Sequence, residues 1–226
     1  MRDVHQSGRF DATTARRLAV GGVIEAAASV ALLTEGVGFA LLPGWLSSGN
    51  ETKVLWQDSS WEMRRHGSES IPTPSWKRGT ARRTSVEVEW ALLRHKRRGI
   101  TLFRGGGHLP AHLFLPSQRA ANQAALDGLK SAIWPIVERL DPDQVTLSFD
   151  FNRDLRFARQ RRIVQRSVAG TGLHLVVPPE GTRLLRKIDG FLTTGHSREC
   201  TMLDRSAGFD HRGVRLRSHP TSDHAT

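Results

Sequence analysis

The spacing of apolar residues divides the chain into blocks in which a helix precedes a buried strand, with short strands between and after them. The segment 13–28 predicts a helix, and the apolar run 30–33 behind it predicts a buried strand. Helical spacing of apolar side chains predicts a second helix over 117–140, bent or ended near Pro135. Alternating or apolar runs predict strands at 53–57, 61–65, 85–93, 100–104, 144–149, 173–177, 184–192, 199–203 and 214–216.

Turn-forming residues between these strands predict how they connect. The turn at 58–60 predicts a hairpin between the two strands that flank it, and the basic turn at 94–99 predicts another. Residues 66–83 lack apolar periodicity and predict a loop, while the arginine-rich segment 153–167 predicts a helix or turn. Helix-plus-strand blocks separated by hairpins predict an α/β fold in which two mixed β-sheets pack together, flanked by helices.

The length of 226 residues is enough to bury a core, and we predict one domain over 1–217 with a disordered polar tail at 218–226. The single cysteine, Cys200, excludes an intramolecular disulfide and a cysteine-cluster zinc site, which fits a cytoplasmic location. The apolar stretch 20–33 is interrupted by glycines and Glu25, so no membrane span is predicted. No feature indicates an obligate protein partner.

Basic residues outnumber acidic ones by 33 to 22, which gives a formal net charge of +11 at pH 7. Lysine and arginine clusters attract polyanions, so the charge favours nucleic acid as a partner, although an arginine-rich composition can also reflect GC-rich coding. Basic clusters lie at 77–83, 94–98 and 153–162. We predict substrate contact for Arg153 and Arg156, and solvent exposure for the cluster at 94–98.

Acidic and amide side chains recur next to the predicted strands. Strand ends at one edge of a sheet converge, and such an edge can supply the oxygen ligands that Mg²⁺ prefers. Taken singly, each of these residues could instead be a turn former or a solvated carboxylate. The residues concerned are Glu35, Asp150, Asn152, Asp189, Asp210 and His211.

Five segments resemble motifs of the endonuclease/exonuclease/phosphatase (DNase I-like) superfamily, in that family's order. S-F-D-F-N at 148–152 resembles the G-D-F-N signature, and K-I-D-G-F-L at 187–192 resembles the R-I-D strand. G-F-D-H-R-G-V at 208–214 resembles the terminal S-D-H element. Upstream, 107–112 resembles N-T-H-L-P-A-H, and 30–35 resembles the strand that carries the metal-binding glutamate.

The resemblance implies a four-layer α/β sandwich and phosphate-ester hydrolysis with Mg²⁺ or Mn²⁺ as the cofactor. Glu35 would bind the metal ion, assisted by Asp210. Members of the family open with a strand ending in a metal-binding asparagine, whereas residues 1–10 contain no asparagine and few aliphatic residues, with Gln6 the nearest substitute. We therefore predict that the chain lacks the proper first strand.

The resemblance also implies the catalytic roles. Asp150 would orient or deprotonate the attacking water, and Asn152 would donate to the phosphate or hold Asp150 in place. His211, kept charged by Asp189, would donate to a nonbridging phosphate oxygen. His108 would donate from the opposite side of the phosphate.

These features together predict a metal-dependent nuclease that hydrolyses phosphodiester bonds by in-line attack of water, with DNA favoured over RNA. A phosphatase of a small or lipid-linked phosphate is one alternative, and a catalytically impaired relative that binds nucleic acid is another. The literal S-D-H at 222–224 lies in the polar tail, so Asp210 and His211 are preferred to it. The glycines at 105–107 lack the Lys-Ser/Thr of a phosphate-cradling loop.

Overall fold

The computed structural model describes residues 2–6, 30–33, 44–49, 52–78, 80–112, 115–183, 185–202 and 214–219, which form two six-stranded mixed sheets and two helices. The first sheet has the order β11-β12-β1-β2-β4-β3, from β1 (Arg2–Gln6), β2 (Val30–Leu33), β3 (Trp45–Ser48), β4 (Lys53–Gln57), β11 (His196–Met202) and β12 (Val214–His219). The second has the order β5-β6-β7-β8-β10-β9, from β5 (Trp61–Arg78), β6 (Ala81–His95), β7 (Thr101–His108), β8 (Gln144–Asp150), β9 (His174–Val176) and β10 (Asp189–Thr193). The helices are α1 (Pro116–Leu140) and α2 (Ala158–Ser167).

The two faces of the second sheet have different partners, because successive side chains of a strand point to opposite faces. Val145, Leu147 and Phe149 belong to the apolar core that the sheet shares with α1 and α2. On the opposite face, residues of both sheets pack together, for example Phe191 of β10 against Val214 of β12. Two packed mixed sheets with helices on an outer face confirm the predicted α/β sandwich.

Residues 2–6 form a strand inside the first sheet, so the prediction that the chain lacks a first strand was wrong. β1 pairs in parallel with β2 and antiparallel with β12. Backbone hydrogen bonds on both sides stabilise β1, and these do not require apolar side chains. Gln6 pairs in register with Leu33, which places Gln6 at the end of β1 where the family motif has asparagine.

The two segments around the turn 58–60 do not form the predicted hairpin. β4 pairs with β2 and β3, whereas β5 pairs with β6, so the turn carries the chain from the first sheet to the second. The residues 66–83 are not a loop either, because β5 and β6 form a long antiparallel arm through them. Proline and irregular register are tolerated in β5 because it is an edge strand.

The predicted bounds of the other helices and strands were confirmed in part. The hairpin between 85–93 and 100–104 is confirmed by β6 and β7, and α1 continues past Pro135 to Leu140. The strand predicted at 184–192 begins only at Asp189, and Ser218 and His219 belong to β12 rather than to a disordered tail. The helix predicted at 13–28 lies outside the described residues. Neither α1 nor α2 is long and apolar enough to cross a membrane.

Candidate active site

Three polar residues form one row across the second sheet, at the end of β8. His108 pairs with Asp150 in the parallel β7–β8 register, and Asp189 pairs with Asp150 in the antiparallel β8–β10 register. Facing residues on neighbouring strands point to the same face, with Cβ atoms about 5 Å apart. Asp150 and Asp189 are fully buried, and His108 is partly exposed. The structure therefore brings three of the predicted site residues together.

Asn152 completes this group through a tight turn after β8. Its φ of +49° lies in the left-handed region, which asparagine tolerates better than most residues. The turn brings the Asn152 backbone N–H to 2.9 Å from Asp150 Oδ1 and thus fixes one oxygen of the carboxylate. The turn residues therefore have a second effect, because they orient the Asp150 side chain.

The side-chain amide of Asn152 contacts the ring of His108. Asn152 Nδ2 donates to the Leu109 carbonyl at 2.8 Å and lies 3.0 Å from His108 Nε2. Because Nδ2 is a donor, His108 Nε2 accepts, and the ring proton lies on Nδ1. His108 Nδ1 is 3.4 Å from Asp150 Oδ2, so the ring faces the second oxygen of the carboxylate.

This arrangement differs from the predicted role of His108 and from one of the two predicted roles of Asn152. Both nitrogens of the His108 ring face protein groups, and the Asn152 NH₂ group donates to Leu109 and His108. The amide nitrogen is thus not directed at a phosphate. Of the two roles considered for Asn152, the geometry supports the one in which it holds Asp150 in place.

The start of β10 is fixed by a hydroxyl group, which in turn fixes Asp189. Thr182 Oγ1 accepts from the backbone N–H of Ile188 at 3.2 Å and of Asp189 at 3.3 Å. On the other side, Phe151 N donates to Ile188 O at 2.8 Å, which ties this segment to the turn after β8. The two aspartates are therefore held by backbone contacts on neighbouring strands.

Glu35, Asp210 and His211 lie outside the described residues. The strands next to them are described: β2 ends at Leu33, β12 begins at Val214, and both points lie at the same edge of the first sheet. Within the described part of the chain, no three acidic, histidine or cysteine side chains form a cluster that could hold a metal ion.

Glu89 is a buried acidic residue near this site that the sequence reasoning missed. It is only 6% exposed and lines a cleft together with His108 and Thr52. Thr52 directly precedes β4, and the first residue of β4 pairs with Leu33, the last residue of β2. The cleft therefore connects the end of β7 at His108 in the second sheet with the end of β2 in the first sheet. In the sequence, Glu87 and Glu89 alternate with Val86 and Val88. This alternation could have indicated that the two glutamates lie on the same face of a strand.

Arg153 is a structural residue rather than the predicted substrate contact. It is 1% exposed, and its guanidinium donates to Asn122 Oδ1 at 2.6 Å, Gln123 Oε1 at 2.8 Å and Gln160 Oε1 at 2.9 Å. Burial lowers the pKa of Arg153 to about 10, so it remains charged at neutral pH. Arg153 binds α1 to the segment that leads into α2, and its donors do not face solvent.

Arg156 is partly exposed, and it also has a partner in the protein. Its Nε and Nη2 atoms lie 2.9 and 2.6 Å from the two carboxylate oxygens of Asp154, and its side chain is 43% exposed. Burial opposes ionisation of Asp154, but the hydrogen bonds and charge of Arg156 outweigh this effect and lower the pKa of Asp154. Contact of Arg156 with substrate remains a prediction.

His112, in the same motif segment as His108, is an uncharged residue at neutral pH. Burial, reinforced by the charges of Arg153 and Arg119, lowers the pKa of His112 to about 4. Its backbone N–H lies 3.4 Å from the Asn152 carbonyl, so it borders the turn after β8. Burial therefore disfavours a charged ring at this position, and the nearby charge of Arg153 adds to the effect.

Comparison with known proteins finds likeness in structure but not in sequence. No family model matches the chain, and no curated protein matches it significantly. Among solved structures, a mannosyl-6-phosphatase of Bacteroides thetaiotaomicron has a TM-score of 0.72 at 12% identity and covers 97% of this chain and 99% of its own.

Two further solved structures extend this likeness. The human Nocturnin catalytic domain has a TM-score of 0.69 at 13% identity and covers 98% of this chain and 94% of its own. An endonuclease/exonuclease/phosphatase family protein from Bacteroides thetaiotaomicron has a TM-score of 0.69 at 12% identity and covers 96% of both chains. The chain therefore has the fold of the endonuclease/exonuclease/phosphatase (DNase I-like) superfamily.

Proposed function

We propose that the protein is a metal-dependent hydrolase of phosphate esters, and that its substrate is the phosphodiester backbone of nucleic acid. The observation that carries this proposal is the row of His108, Asp150 and Asp189 with Asn152 at the end of β8. It provides a buried carboxylate in fixed geometry next to a cleft. The likeness in fold to a phosphatase and to endonuclease/exonuclease/phosphatase proteins supports phosphate-ester chemistry.

Asp150 is the proposed general base. Its Oδ1 accepts from the Asn152 backbone N–H, and its Oδ2 faces His108 Nδ1. These contacts hold the carboxylate in one orientation, in which it would accept a proton from the attacking water. The water then attacks phosphorus in line with the leaving oxygen.

Carboxylate oxygens are the ligands that a hard divalent cation prefers. Asp150 and Asp189 are buried on facing positions of neighbouring strands, and two such carboxylates stay ionised together only beside positive charge. We propose that His211 supplies part of this charge next to Asp189, and that Glu35 and Asp210 hold Mg²⁺ or Mn²⁺. When bound, the metal ion would polarise a phosphate oxygen and offset its negative charge.

The net charge of +11 favours a polymeric polyanion over a small phosphate, and we propose DNA ahead of RNA. A phosphatase remains the second candidate because a structure of similar fold is a mannosyl-6-phosphatase. The third candidate is a relative that binds nucleic acid without cleaving it, since Gln6 stands where the family motif has a metal-binding asparagine.

The test is a hydrolysis assay on the purified full chain. Supercoiled plasmid, single-stranded DNA and RNA oligonucleotides and mannose 6-phosphate are each incubated with Mg²⁺, Mn²⁺ or EDTA. The proposal expects cleavage of DNA with metal ions and none with EDTA. Release of inorganic phosphate alone would favour the phosphatase, and binding of DNA without turnover would favour the impaired relative.

The Asp150→Asn variant tests the proposed base. The amide keeps the size of the side chain but cannot accept the proton, so turnover should fall by about 10²–10⁴-fold. The matched control is Asp143→Asn, an exposed aspartate beside the opposite end of β8 whose contact with Thr101 N can survive as an amide. Wild-type turnover in Asp150→Asn would refute the assignment.

A further inference from the structure

A cleft of about 300 Å³ runs from His108 along the arm that β5 and β6 form. This volume lies at the lower end of those that enclose a small organic ligand. It leaves room for a group of about the size of one nucleoside. The chemistry of its lining changes from one end to the other, and this change indicates what kind of ligand it fits.

Four of the β6 residues that line the cleft follow one another at every second position. Arg83, Ser85, Glu87 and Glu89 lie on one face of the strand. Glu89 pairs with Gly106, so two residues further along both strands Glu87 lies level with His108. Arg83 is four residues beyond Glu87, which corresponds to about 13 Å at a rise of about 3.3 Å per residue.

Arg78 of β5 joins Arg83 at the far end of the cleft. Trp76 pairs with Arg83 and Arg78 pairs with Ala81, so Arg78 and Arg83 project from the same face of the arm. Both line the cleft. Two guanidinium groups at one end form a suitable site for a phosphate, because arginine binds phosphate oxygens with paired, charge-assisted hydrogen bonds.

The middle of the cleft has a different character. Ser85 and Ser68 donate to the two carboxylate oxygens of Glu87 at 3.0 and 3.3 Å, and Glu89 lies beyond them. Carboxylates repel a phosphate but accept hydrogen bonds from hydroxyl and amino groups. The part of the cleft formed by Ser68, Ser85 and Glu87 therefore suits a sugar or a base, and the two arginines suit a phosphate.

We propose that this cleft binds the nucleotide next to the cleaved bond, with the sugar and base in the middle and the neighbouring phosphate on Arg78 and Arg83. The inference rests on the proposed function, since it assumes that the cleaved phosphate lies at His108 and Asp150. If the inference is correct, the preferred substrate is an oligonucleotide with a second phosphate rather than a small monophosphate.

The experiment compares substrates that have one or several phosphates. We would measure kcat/KM for bis(p-nitrophenyl) phosphate and for thymidine oligonucleotides of two to six residues. The variants are Arg78→Gln/Arg83→Gln and the control Arg65→Gln/Arg94→Gln, which removes two exposed arginines that line a different groove of the same arm. Thermal unfolding of each variant establishes that it is folded.

We expect kcat/KM of the wild type and of the control to rise with oligonucleotide length by at least tenfold, and this rise to vanish in Arg78→Gln/Arg83→Gln. Turnover of bis(p-nitrophenyl) phosphate should be unchanged in both variants. If the wild type is active and kcat/KM of Arg78→Gln/Arg83→Gln rises with oligonucleotide length as much as that of the wild type, this inference is overturned and the proposed function is left intact.

If the wild type cleaves nothing, that result counts against the proposed function alone. A binding measurement then still tests the inference about the cleft. Fluorescence anisotropy of a labelled thymidine hexanucleotide in EDTA gives the dependence of log Kd on log salt concentration. Loss of two phosphate contacts should reduce the slope by about 1.4 in Arg78→Gln/Arg83→Gln, at about 0.7 per contact with a single strand. A slope equal to that of the control would overturn the inference.

Discussion

Replacement of Arg153 by methionine separates its structural contacts from a contact with substrate. The variant Arg153→Met keeps a long side chain but removes three donors, to Asn122, Gln123 and Gln160. Asn122 is fully buried, so its amide oxygen is left without that donor and without water. Leaving a buried acceptor unsatisfied and losing hydrogen bonds to a charged group together should cost about 3 kcal/mol.

This cost should appear in unfolding experiments. For a chain of this length about 3 kcal/mol corresponds to a decrease in Tm of roughly 6–12 °C. The control is Arg159→Met, which removes the same charge from an exposed position of α2 and should shift Tm little. Thermal unfolding followed by circular dichroism measures both variants.

The salt dependence of nucleic-acid binding gives the second readout for Arg153→Met. A buried arginine makes no phosphate contact, so the slope of log Kd against log salt should equal that of Arg159→Met. The reasoning would be refuted if Arg153→Met unfolded at the wild-type temperature and lowered the slope by about 0.7 relative to the control.

Three further predictions concern pH, the thiol and one glycine. The folded-state pKa of His112 is about 4, below its ordinary value of 6.5, so the unfolded state binds more protons between these two values. The free energy of unfolding should therefore decrease as the pH is lowered from 6.5 to 4, and it should decrease less steeply in His112→Gln. Urea denaturation at each pH measures this. Burial raises the pKa of the Cys200 thiol to about 12, so Ellman's reagent at pH 8 should react far more slowly with native than with unfolded protein, and equal rates would contradict this. Gly106→Ala should cost more than about 4 kcal/mol, because its Cβ would overlap the backbone carbonyl oxygen of Ser148. Gly44→Ala, with positive φ but open space, should cost about 1 kcal/mol, and equal losses would argue against the clash.

The elements whose side chains face one core were predictable, because burial on one face leaves a period in the sequence. The apolar stripe of α1 and the strands β2, β7 and β8 were located within a few residues for this reason. The position of Asp150 and Asn152 at the end of β8 was also predictable, since a polar residue that follows an apolar run indicates the end of a strand. The α/β class follows from these local signals.

The partners of these elements were decided by the tertiary structure. Nothing local distinguishes β4 and β5 as members of different sheets, and β1 is central because its backbone pairs on both sides. The arm through 66–83 is a strand because β6 supplies its hydrogen bonds. Arg153 carries the same charge as Arg156, but Asn122, Gln123 and Gln160 surround it only once α1 packs beside the turn after β8. Sequence periodicity records which face of an element is buried, whereas pairing and the direction of a polar side chain depend on residues distant in the chain.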